Sequence, residues 1–281
     1  MRARRWMAAA VAAGVASACD PTFFLLPVEP DDVSIELAVT GGLAGASYSF
    51  VVDGAEGEVR GLTCGALCDF GPGEVLAVVS MDQVAALAAA LDETGIMEIG
   101  DREYGDGCCD FHHLVLTYAR DGETVVVEGT QDRFPPDLSE VVALLYALGE
   151  GRIPAIVSPD TDPEDWPVDA YTLGEVSLDA LTLTAELSYG GGCAAHPVDL
   201  VLWGGWMESF PVQVRALITH DDGDDPCDAI VNRTQAFDLR PLVRAYEASY
   251  GRIGETRPTV VLQLFDPVSG SPLGRMIEVE L

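Results

Sequence analysis

The sequence predicts an α+β fold, with an N-terminal antiparallel sheet carrying two helices on one face and a mostly-β, sandwich-like domain following it. Three observations predict this. Residues 33–149 alternate short period-two apolar runs with two stripes at helical spacing. Residues 169–281 hold six short β-type runs, punctuated by turn residues, and one helical run. Between them, residues 153–168 are rich in Pro and Asp, which suits an extended linker.

In chain order, 33–39 and 47–52 read as strands, 58–63 continues the meander, and Asp53-Gly54 supplies a turn. Ser80 with Gln83 resembles a capping box before a helix with Val84, Leu87, Ala88 and Leu91 on one face, stopped by Gly95. Runs 114–118 and 124–128 flank Asp121-Gly122 as a hairpin. A second helix over 137–148 buries Leu138, Val141, Leu145 and Leu148. In the C-terminal part the predicted strands are 181–189, 197–203, 212–220, 229–235, 259–265 and 275–280, interrupted by a helix over 239–250. Regular short strands of this kind fit a β-sandwich. The division is therefore 1–18 export signal, 19–32 tether, 33–152 first domain, 153–168 linker and 169–281 second domain.

The N-terminus carries Arg2, Arg4 and Arg5, then an Ala/Val stretch too short to span a bilayer, which needs roughly 20 apolar residues. That is the pattern of a signal peptide. Ala16-Ser17-Ala18-Cys19 resembles the bacterial lipobox, implying acylation of the Cys19 thiol and cleavage before it. An ordinary signal peptide cut at Ala16-Ser17-Ala18 is the alternative. Several acyl chains anchor stably where one is marginal. The expected location is the exported side of a bacterial membrane, the inner or outer membrane being open.

The net charge is −31, and every one of the 15 basic residues is Arg. Such a charge repels nucleic acid and anionic headgroups; it either steers the chain to a basic or cationic partner or is a general solubility or salt adaptation. Besides Cys19 there are six cysteines, an even count that fits disulfides in an exported chain. Cys64, Cys68, Cys108 and Cys109 are expected to pair across their two segments, since adjacent cysteines rarely bond to each other. A four-thiolate zinc site, with His112 and His113 just beyond, is the alternative. Cys193 and Cys227 read as a disulfide, or, with His196 and His220, as a zinc set of suitable donor types. If the disulfide forms, His220 is expected to hydrogen-bond Asp221 or Asp228. Asp221, Asp222, Asp224, Asp225 and Asp228 lack the spacing of a helix–loop–helix calcium site and read as an acidic turn. Trp203, Trp206 and Phe210 serve either as core or as an exposed binding edge.

Thr40-Gly41-Gly42-Leu43-Ala44-Gly45, the strand after it, the helix near Val84 and Leu91, the 114–128 hairpin and Pro135-Pro136-Asp137-Leu138 resemble emfourin-like proteins over 33–149. That small bacterial family includes inhibitors of protealysin-type metalloproteases. The resemblance implies protease binding, with Gly41, Gly42, Leu43, Ala44 and Gly45 as binding residues. Gly192-Cys193, His196, Trp203, Glu208-Ser209-Phe210-Pro211, His220 and Asp225-Pro226-Cys227 resemble a domain of uncharacterised bacterial lipoproteins, which implies no activity. The chain lacks a Gly-x-Ser-x-Gly elbow, a Walker loop, a His-Glu-x-x-His pair and a dinucleotide fingerprint. The expectation is a non-enzymatic, membrane-anchored binding protein with no cofactor, zinc being the alternative, or else a structural lipoprotein without ligand.

Overall fold

The computed structural model describes residues 30–65, 68–105 and 111–281. Cys19, Cys108 and Cys109 lie outside them, as do residues 1–18, read above as an export signal.

The first sheet runs β4-β3-β2-β1-β6-β7-β5. Its strands are β1 (Ser34–Gly41), β2 (Ala46–Asp53), β3 (Glu58–Cys64), β4 (Val75–Val78), β5 (Arg102–Glu103), β6 (His112–Arg120) and β7 (Glu123–Thr130). All neighbours are antiparallel except β5, which pairs parallel to β7 and makes the sheet mixed where a purely antiparallel one was expected. Period-two alternation sends Ile35, Leu37 and Val39 of β1 to a buried face, with Phe50, Val52, Leu116, Tyr118 and Val127. The helices of this half are α1 (Met81–Glu93), α2 (Ile96–Ile99) and α3 (Pro136–Gly149). α1 buries Val84, Leu87, Ala88 and Leu91, while α3 buries Leu138, Val141, Leu145 and Leu148.

The capping box at the start of α1 is only half made. The Gln83 N–H donates to Ser80 Oγ at 3.0 Å. Gln83 Oε1 is buried without a partner instead of reaching back to the cap.

The second half contains two further sheets. One runs β10-β11-β14-β8 and the other β16-β15-β13-β12-β9. Their strands are β8 (Arg152–Pro154), β9 (Ile156–Ser158), β10 (Tyr171–Asp179), β11 (Thr182–Gly191), β12 (Val198–Met207), β13 (Val212–His220), β14 (Ala229–Asp238), β15 (Thr259–Phe265) and β16 (Pro272–Glu280). α4 (Arg240–Tyr250) lies between β14 and β15. The reading of 153–168 as an extended linker is corrected at its N-terminal end. Residues 152–154 pair with β14 and residues 156–158 with β12, so one short stretch joins both sheets. Ile153, Ala155 and Ile156 are buried, and that burial outweighs the strand-breaking tendency of Pro154, which occupies a short edge strand.

Most of the buried apolar residues form one continuous cluster that includes both Val33 and Leu281, and Ile156, Trp166, Val201 and Leu217 form a smaller separate one. The two halves also meet through charge: Arg244 of α4 pairs with Glu93 of α1 at 3.5 Å and with Glu140 of α3 at 3.2 Å. Asp199 of β12 is buried near Ser80 and Asp82 at the start of α1. Burial, with Asp82 adding to it, raises its pKa to about 6 against the opposing pull of Ser80 and Arg233.

Candidate functional site

Two regions of the molecule hold most of the residues singled out by the sequence. At the first, the fold brings Cys193, His196, His220 and Cys227 together, but not as a metal-ligand set. Cys193 and Cys227 are joined in a disulfide, with Cα atoms 5.7 Å apart. Bonded sulfurs are not thiolates, so the zinc alternative is corrected here. The pairing expected across the first-half segments is corrected too. Cys64 bonds to Cys68 over a Cα distance of 5.7 Å, which lies inside the window for an unstrained bridge.

Beside the Cys193–Cys227 bridge, His196 Nδ1 lies 2.9 Å from His220 Nε2. The outer nitrogens face acceptors: His220 Nδ1 is 3.2 Å from the Asp169 carbonyl, and His196 Nε2 is 3.2 Å from Asp225 Oδ2. The expected partners of His220, Asp221 or Asp228, are thus replaced by Asp169 and His196. A carbonyl and a carboxylate only accept, so both outer nitrogens carry hydrogen, and the contact between the rings needs one more. Burial lowers the His220 pKa, with the Asp169 hydrogen bond opposing. Tyr189 packs on both rings, with centroids 4.9 and 4.4 Å away.

Asp225 itself fills a backbone nest. The N–H groups of Gly192, Cys193 and Ala194 each donate to its Oδ2 at 3.0 Å, and that of Cys227 donates to Oδ1 at 2.9 Å. Its side chain is sealed from solvent. These N–H groups, those of Ala194 and Cys227 foremost, hold its pKa well below the usual carboxylate range. The neighbouring carboxylates are engaged in the same way: Asp169 accepts from Asp222 N, Asp221 from Gly223 N and Asp222 from Asp224 N. The acidic run forms a turn whose side chains cap backbone donors. Every donor and acceptor of the His–Asp cluster is satisfied from within, which describes a clasp between the 191–197 and 221–228 segments rather than an open site.

The second region is the end of the first sheet where β1 turns into β2. Gly41, Gly42 and Gly45 all have φ between +69° and +85°, the left-handed region that favours glycine. The turn closes with Gly45 N–H donating to the Gly42 carbonyl at 3.0 Å. It projects Leu43, which is 87 % exposed. A side chain at Gly42 would collide with the His112 ring, so glycine lets that ring close against the turn. His112 in turn lies 3.4 Å from the Tyr146 hydroxyl of α3. Gly65 N–H donates to the Ser47 carbonyl at 2.7 Å, placing the Cys64–Cys68 loop against the foot of the same hairpin. Phe111 is exposed beside it, and Gly41 sits opposite His112 in the β1–β6 register. Next to this hairpin, a cleft of about 400 Å³ is lined by Tyr48, Cys68, Phe70, Tyr146 and Glu150.

The aromatic stretch divides between the two roles anticipated for it. Trp203 packs edge-on to Phe265 with the Arg215 guanidinium over its face, and Phe210 stands fully in solvent. Trp206 meets Tyr246 and Tyr250 of α4 and donates to Ser249 Oγ at 2.9 Å. Two features had no sequence signal: the carbonyl partner of His220, which depends on Asp169 arriving from 51 residues away, and the convergence of three N–H groups on Asp225.

No family model matches the chain, and no curated protein matches it. Several solved structures align with it. A candidate lipoprotein of Bacteroides fragilis is 12 % identical, covering 59 % of this chain and 81 % of its own, with a TM-score of 0.29. A NigD-like immunity protein of Bacteroides caccae is 14 % identical, covering 88 % and 90 %, with a TM-score of 0.31. A protein of unknown function from Bacteroides vulgatus is 8 % identical, covering 89 % and 90 %, with a TM-score of 0.32. At these values the likeness carries nothing further about this chain, and the emfourin resemblance rests on its sequence motif alone.

Proposed function

We propose that the chain is a non-enzymatic cell-envelope protein, anchored by acyl groups on Cys19, that binds another protein. Inhibition of a protealysin-type metalloprotease is its most specific form. The observation that carries the reading is the Gly41–Gly45 turn, residues 41–45, where left-handed glycines hold Leu43 out in water with Phe111 exposed nearby. A large apolar side chain on a well-defined turn is what a binding loop presents to a partner pocket. The His–Asp clasp supports the non-enzymatic part, since its histidines and carboxylates are committed to one another and to backbone. Bonded cysteines fit an oxidising compartment.

The test is titration of a thermolysin-like protease with soluble protein carrying Cys19→Ser. Stoichiometric inhibition that disappears with Leu43→Asp supports the specific form, and full protease activity at a large molar excess overturns it. Anchoring is tested separately by the intact mass of protein from bacterial membranes. A lipid adduct on an N-terminal Cys19 is expected, and an unmodified thiol there overturns the anchor.

A further inference from the structure

The cleft beside the 41–45 turn has a lining whose chemistry selects a ligand. It holds about 400 Å³ and is walled by the rings of Tyr48, Phe70 and Tyr146. Tyr48 and Phe70 stand nearly perpendicular, at 86° with centroids 6.5 Å apart, and so form an aromatic corner. Val75 and Leu76 add an apolar sill. The charged side chains of the lining are all acidic: Asp69, Glu74 and Glu150.

These carboxylates are only partly engaged. Glu74 accepts the Gly71 N–H through Oε2 at 2.7 Å, and Glu150 pairs with Arg152 through its own Oε2. Asp69 has no hydrogen bond or ion pair among the described residues. One guanidinium against three carboxylates leaves the cleft negative. The charge of Glu150 is felt at the Tyr48 hydroxyl, whose pKa it raises together with burial. Carboxylate and ring therefore act on the same space.

An aromatic face attracts a cation within about 6 Å of its centroid, and a carboxylate beside it adds a full charge. Such a lining repels an anion, and a purely apolar guest would desolvate the carboxylates without pairing them. A Lys or Arg side chain answers every part of it. Its methylene stem lies along the Val75 and Leu76 sill, and its cationic head meets the rings and the acids. The cleft is also coupled to the turn. The His112 ring closes against Gly42 on one side and lies 3.4 Å from the Tyr146 hydroxyl on the other.

We propose that this cleft receives a Lys or Arg side chain of the protein partner that meets Leu43. The proposal rests on the reading of the chain as a protein-binding module and adds the partner's chemistry: a cation next to the apolar pocket that takes Leu43. It also gives the net charge of −31 a local use in choosing a basic partner surface.

The test is an NMR titration of the soluble chain (Cys19→Ser) with ring-labelled tyrosine. The probe is the blocked peptide Gly-Gly-Arg-Gly-Gly, and the control carries citrulline, which has the shape of Arg without its charge. A saturable shift of the Tyr48 and Tyr146 ring signals is expected, with affinity for the Arg peptide at least tenfold above that for the citrulline peptide. Asp69→Asn with Glu150→Gln, both at exposed positions, should weaken the Arg peptide at least tenfold while the circular dichroism spectrum stays that of the parent. Equal response to the two peptides, or none at the Tyr48 ring, overturns the proposal. Tighter binding of tetramethylammonium than of either the Arg peptide or its Lys counterpart overturns it in favour of a small quaternary ammonium ligand. No protease is present in this titration, so its outcome is independent of the inhibition assay. Inhibition that survives the Asp69→Asn, Glu150→Gln pair undiminished overturns the cleft proposal alone and leaves the inhibitor reading in place.

Discussion

His196 Nε2 lies 3.2 Å from Asp225 Oδ2, with both side chains sealed from solvent, and this contact ends a chain of hydrogen bonds that starts at the Asp169 carbonyl. The carboxylate it ends on also receives four backbone N–H groups. Asp225→Ala leaves those backbone donors and His196 Nε2 without their acceptor together, and each buried donor left unsatisfied costs stability. The expected result is a fall in thermal midpoint larger than that of any exposed Asp→Ala control, read by calorimetry at neutral pH. A midpoint unchanged from wild type refutes the clasp.

The folded-state pKa of Asp225 is depressed, so its contribution is fully present above the ordinary carboxylate pKa of about 3.9 and is lost as pH falls below it. Denaturant titrations of wild type are expected to show stability declining below about pH 4. The Asp225→Asn variant should lack this component of the decline.

Asp199 has the opposite sign. Its folded-state pKa is raised to about 6 by burial, so its charged form is a cost present above pH 6 and relieved as pH falls through 6 toward 4. Asp199→Asn keeps the shape and removes the charge. It is expected to stabilise the protein at pH 7.5 by about 2–3 kcal/mol, at about 1.4 kcal/mol per pKa unit, and to have little effect at pH 4. Equal stability of the two proteins at pH 7.5 contradicts the assignment.

The two described disulfides should differ in worth. Cys193–Cys227 spans 34 residues of sequence and Cys64–Cys68 only 4. In the chain-entropy model that difference gives about 4 kcal/mol for the longer loop and about 2 kcal/mol for the shorter. Paired Cys→Ser variants, each measured by urea unfolding, should rank in that order.

Leu43→Asp adds a charge at an exposed turn and should move stability by less than about 0.5 kcal/mol, as surface substitutions do. If the turn is a binding loop, the same change should weaken partner binding at least tenfold in a direct titration. Gly42→Ala is the complementary variant. It puts a methyl group against the His112 ring at a left-handed backbone position, so it should cost both stability and binding.

Local rules made much of the fold legible. Strands 212–220 and 259–265 have the same limits in sequence and structure, because alternating β-branched and apolar residues flanked by turn residues leave little choice of register. Helices α1 and α3 follow from their apolar stripes within a few residues. β10 and β5 were not anticipated. β10 exposes alternate residues but buries none, so its hydrophobic alternation is weak, and β5 is two residues long. β8 and β9 hid within a Pro- and Asp-rich stretch because their strand character comes from the sheets that receive them.

By itself the sequence determined the acidity, the cysteine inventory, the glycine-framed turn and most of the element boundaries, the last two of which depend on neighbours a few residues apart. Only the tertiary structure decided that Cys64 bonds to Cys68, that two histidines and Asp225 close a clasp where a zinc set had been an alternative, and that Gln83 is buried with its oxygen unpaired. The physical reason is range. Hydrogen-bond and disulfide partners here come from segments about 30–50 residues apart, or are chosen by a matter of ångströms, and side-chain chemistry alone does not specify which of several suitable partners arrives.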